Sequence, residues 1–161
     1  MRNLCRVIVL RSVHSLLKNS RMLLPMETCG ARSAREAELL GEGNDSSLEY
    51  YRPSEKPIPD RYIRVIICDV AMLAQGQIRA DALADRDLLA QVVRHKETFY
   101  PSGWARYDLA GPGSLRLVPV ETRVAALERD YRNMGAMIFG DAPKFDWIME
   151  ALKALEREIN R

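Results

Sequence analysis

The sequence has little of what would take it out of the ordinary soluble class. Cysteine is scarce: Cys5, Cys29 and Cys68 are odd in number and lack zinc-ligand spacing, so reduced thiols in a cytosol are expected rather than a disulfide framework. Long apolar runs are missing. Arg2 and Arg6 precede Val7-Ile8-Val9-Leu10, a faint imitation of a signal peptide, but Arg11 ends the run. A secretory core needs a longer stretch, and a membrane-spanning helix needs about 20 apolar residues. Export and membrane insertion are therefore not expected, and a cytoplasmic protein is. Neither sign of charge dominates. Twenty-four Lys and Arg against 22 Asp and Glu leave a net +2, too little to argue for a nucleic-acid scaffold.

What is there suffices for one domain with a core: 161 residues, 47% apolar and 29% charged with mixed sign. The text divides near residue 49. Ser33-Ala34-Arg35-Glu36-Ala37-Glu38 can start a helix, but Gly41, Gly43, Asn44, Asp45, Ser46 and Ser47 are expected to dissolve it. A weak helix over 7–19 and disorder over 28–47 are the expectation.

After Tyr50 the pattern becomes regular. Pro53, Pro57 and Pro59 hold 52–59 extended, since each proline fixes its own φ and restricts its predecessor. Asp60 suits the N-cap of a helix to about Gln75, stopped by Gly76; β-branched Val65-Ile66-Ile67 keeps a strand open there. Asp81 can cap a short turn, and Asp85 or Asp87 can start a helix reaching Phe99 with Leu88, Leu89, Val92 and Val93 on its apolar face. A Gly- and Pro-punctuated loop follows over 100–119. Val124, Leu127, Tyr131, Met134 and Ile138 then predict a helix from Glu121 to about Phe139, ended by Gly140. Asp141 is expected to cap a last helix with Pro143 near its first turn. Its buried stripe would be Phe145, Ile148, Met149, Leu152, Leu155 and Ile159, with Lys153, Glu156, Arg157 and Glu158 solvated.

Three stretches are distinctive: 89–110, containing His95-Lys-Glu-Thr-Phe-Tyr-Pro-Ser-Gly-Trp-Ala-Arg106; Gly113-Ser-Leu-Arg-Leu-Val-Pro119; and Phe139-Gly-Asp-Ala-Pro-Lys-Phe-Asp-Trp-Ile-Met-Glu150. With Lys56-Pro-Ile-Pro-Asp-Arg-Tyr62 and Asp69-Val-Ala-Met-Leu73, in this order and spacing, they resemble the C-terminal third of AbiEii/AbiGii toxin-like nucleotidyltransferases. The resemblance covers about two-thirds of the chain, from about residue 50 to 161. The periodicities by themselves predict a mainly α fold, a helical bundle at 50–161 preceded by a poorly ordered segment at 1–49; the resemblance implies that this bundle is the C-terminal part of a nucleotidyltransferase. It also implies the toxin arm of a toxin–antitoxin or phage-defence pair. Intact relatives transfer a nucleotide from a nucleoside triphosphate to an acceptor, with Mg2+ assisting.

That chemistry needs a Gly-Ser motif followed by paired carboxylates, because glycine lets backbone amides approach phosphates and carboxylates hold the metal against them. The sequence has neither: Gly113-Ser114 runs into Leu-Arg-Leu-Val-Pro. The family's lysine, in a Phe-Trp-Glu-Lys-Ala-Thr segment, is also missing, and Leu39-Leu-Gly-Glu-Gly-Asn-Asp-Ser-Ser47 stands in its place. Written in permitted codons and read one base later, those nine residues give Phe-Trp-Glu-Lys-Ala-Thr-Ile-Leu-His. The sequence therefore predicts a frameshift, with residues before about 48 out of frame.

Three residues are singled out through the resemblance. Asp69 matches a late aspartate near the nucleotide that can ligate metal or accept a proton; the plain alternative is a polar helix residue without a partner. His95 and Lys96 match a His-Lys pair, Lys96 being a candidate phosphate contact as a mobile point charge; otherwise His95 packs under the loop 100–107 and Lys96 is solvated. Trp104, Tyr107 and Phe99 can stack on a base, but aromatics flanking a Gly/Pro loop are read first as pins to a core. Arg106 and Arg116 are weak candidates for phosphate neutralisation, and His14 is uninformative. For this chain no cofactor is expected. An antitoxin is the candidate partner, while a triphosphate and a nucleic-acid acceptor belong to an intact relative. The expected product is a truncated toxin inactive alone, or else a helical module that binds an antitoxin or partner subunit without catalysis.

Overall fold

The computed structural model describes residues 31–57, 67–134 and 141–161. Among them the chain is mainly helical, with no strand: α1 (Ala31–Tyr50), α2 (Cys68–Leu73), α3 (Gln77–Ala84), α4 (Arg86–Phe99), a 3-10 turn at Tyr107–Leu109, α5 (Glu121–Asn133) and α6 (Phe145–Ile159). The expected weak helix at 7–19, the Asp60 cap, Ile138 and Gly140 lie outside the described residues.

The expected disorder over 28–47 is corrected for its described part, because α1 runs unbroken from Ala31 to Tyr50. Two glycines and four short polar residues in a helix interior each cost up to about 1 kcal/mol of propensity. Tertiary contact overrides that cost. α1 packs against α2, α3 and α4 together, burying Leu39, Leu40 and Leu48. A methyl added at Gly43 would stand in van der Waals contact with Leu117 Cδ2 at 3.4 Å, and one at Gly41 would meet nothing within 4 Å. Burial of the three leucines, and not local propensity, accounts for the helix.

Gly76 separates α2 from α3 in the manner expected, at φ 74°, a conformation that L side chains rarely adopt. Ile67 leads into α2, and no strand forms at this residue. Asp81 caps nothing. It lies within α3, accepting from Gln77 Nε2 at 2.8 Å. Asp85 is the N-cap of α4, its Oδ1 accepting the Leu88 N–H at 3.0 Å. Leu89 is buried, with Leu88, Val92 and Val93 packed against the same core.

α6 presents the expected stripe, burying Ile148, Met149, Leu152, Leu155 and Ile159. Phe145 is only partly buried, and its ring packs against that of Tyr131 with centroids 5.8 Å apart. Asp141 does not cap α6: Lys144 occupies the N-cap position and no side chain bonds there. The junction is held by the Tyr131 hydroxyl, which donates to the Pro143 carbonyl.

The largest correction on α6 is Glu156, expected on the solvated face. Its carboxylate accepts the N–H groups of Leu117 at 2.6 Å and Val118 at 2.9 Å. Asn160 does the same for Leu115, accepting its N–H at 3.0 Å and donating to its carbonyl at 2.9 Å. From α1, Ser47 Oγ accepts the Arg116 N–H at 3.1 Å and Ser46 Oγ donates to the Leu117 carbonyl at 3.1 Å. Residues 115–118 are thus tied by side chains where a sheet would use a ladder. Leu115 and Leu117 point into the core beneath them.

Candidate functional site

Of the three residues singled out by the sequence, Lys96 contacts one stretch of α1, Asp69 feels acids of the same stretch, and His95 does neither. At helical spacing, Glu38, Glu42 and Asp45 fall on one face. Asp69, in the first turn of α2, feels Glu42 and Glu38. Lys96, in the last turn of α4, reaches the same stretch from another helix. Its Nζ donates to the Gly41 carbonyl at 2.7 Å and forms an ion pair with Asp45. Lys96 is therefore not the solvated residue that its plain reading expected. His95 turns outward and does not pack under the loop; it is exposed, its ring tilted onto Phe99 at 4.6 Å.

Electrostatics single out Asp69. Burial, then the nearby Glu42 and Glu38 carboxylates, push its carboxyl up to about 7 from the usual 3.8. A carboxyl titrating near neutrality can take up or release a proton in the range where most enzymes work. Burial and Glu42 likewise raise the Glu38 carboxyl. The adjoining Cys68 thiol is pushed up to about 12 by burial and by Asp69, so it stays protonated and unreactive.

Acids that feel one another are not yet a metal site. Among the described residues, no three His, Cys, Asp or Glu side chains are grouped so as to hold a metal ion. Among the described residues, the donor set that Mg2+ and a triphosphate would need is not assembled.

The aromatic and basic residues of the 100–119 loop are largely committed to the fold. The Arg52 guanidinium lies over the Trp104 ring at 4.5 Å, and the Tyr107 hydroxyl donates to the Tyr100 carbonyl at 2.6 Å. Arg106 pairs with Asp108, while Arg116 faces Glu156 at 3.6 Å and the Tyr50 ring at 5.9 Å. Phe99 and Tyr100 differ, being 59% and 53% exposed.

Asp69 and Lys96 stand out in the sequence, whereas Glu38, Glu42 and Asp45, which lie near them, do not. A signal was present: residues 38, 42 and 45 recur at four and three, as acids on one helical face do. The glycines between them hid it. Compared with known protein families, curated proteins and solved structures, the chain matches none.

Proposed function

We propose that this chain is a truncated nucleotidyltransferase toxin of a toxin–antitoxin or phage-defence system, inactive alone. The observation that supports this reading is that Lys96 bonds to Gly41 and Asp45 of α1, while Glu42 and Glu38 of the same stretch raise the carboxyl of Asp69. That stretch overlaps the one whose alternative reading frame supplies the lysine segment of the resembling family. Position 42 carries Glu, which raises the carboxyl of Asp69; the displaced frame has lysine there, which would lower it. Residues 39–47 also bury Asn44, Ser46 and Ser47 completely or nearly so, a composition unusual for a buried helix.

Sequencing the locus tests the origin: codons 39–47 must shift by one base into the Phe-Trp-Glu-Lys-Ala-Thr segment, and any other codons sink the frameshift. The activity is tested by incorporation from labelled nucleoside triphosphates with Mg2+. No incorporation is expected. Incorporation abolished by Asp69→Ala would overturn inactivity and make the chain an enzyme.

A second reading is a helical module that binds an antitoxin or partner subunit without catalysis. The exposure of Phe99, Tyr100, Trp147 and Met72 favours it. Pull-down of the protein encoded next to this gene distinguishes the two, since firm and stoichiometric capture without incorporation supports the module.

A further inference from the structure

We draw no further inference here: the strongest candidate, the exposed patch of rings formed by His95, Phe99 and Tyr100 at the C-terminal end of α4, carries nothing because nothing in the structure shows what covers it.

Discussion

Glu156 Oε2 accepts the Leu117 N–H at 2.6 Å, and the same oxygen takes the Val118 N–H. Glu156→Ala leaves both donors without that acceptor in a part-buried setting. The expected loss is about 2–3 kcal/mol by urea denaturation, because bonds to a charged acceptor are among the stronger ones. Glu156→Gln keeps an acceptor oxygen and should recover more than half of that loss. Equal stability of all three proteins would mean that the 115–118 segment is held by Asn160 and the two serines alone.

Stability should depend on pH through Asp69. Its folded-state value of about 7 lies above the ordinary 3.8. The folded state therefore holds this proton where the unfolded chain has lost it. The associated stability is fully present below about pH 4, fades as pH rises, and is lost above about pH 7. The difference between the two values corresponds to a free energy on the order of 4 kcal/mol. Asp69→Asn, which cannot ionise, is expected to raise Tm by several degrees at pH 8, by less at pH 5 and not at all near pH 4. A gain independent of pH would count against the acidic cluster.

Gly41 offers a gain without a clash. Its added Cβ meets nothing within 4 Å, so Gly41→Ala should stabilise α1 by about 1 kcal/mol, or 2–4 °C in Tm for a chain of this size. Gly43→Ala, with Leu117 Cδ2 at 3.4 Å, should gain less. If neither variant is more stable, α1 is not the helix described.

Lys96 and His95 are neighbours with opposite prospects. Lys96→Met removes the bond to the Gly41 carbonyl and the ion pair with Asp45, at an expected cost of about 1–3 kcal/mol. His95→Ala, at an exposed position, should change stability by less than about 0.5 kcal/mol. Thermal denaturation of the two variants side by side reads the contrast directly.

The helices after residue 76 were legible because local signals and packing agree there. The Asp85 cap, the Leu88–Val93 face and the Ile148–Ile159 stripe each follow from spacing alone. α1 was illegible for the opposite reason: Gly41, Gly43, Asn44 and Ser46 disfavour a helix locally, and only contacts with distant residues such as Leu117 make one. Glu156 was misread because a charged residue beside an apolar stripe ordinarily faces water, and nothing nearby in the chain announces the two amides it serves. The site was half legible for the same reason. Asp69 and Lys96 could be picked out singly, but the acids that meet them lie on the helix the sequence hides.

The tethering of Leu115–Val118 also bears on association between chains. An extended stretch rich in leucine and valine would ordinarily invite another chain to pair with it edge to edge. Here the amides of all four residues, and the carbonyls of Leu115 and Leu117, are already engaged by Ser46, Ser47, Glu156 and Asn160. Four side chains thereby blunt a segment that could otherwise seed intermolecular β-pairing, so losing them would raise the tendency to aggregate as well as loosen the fold.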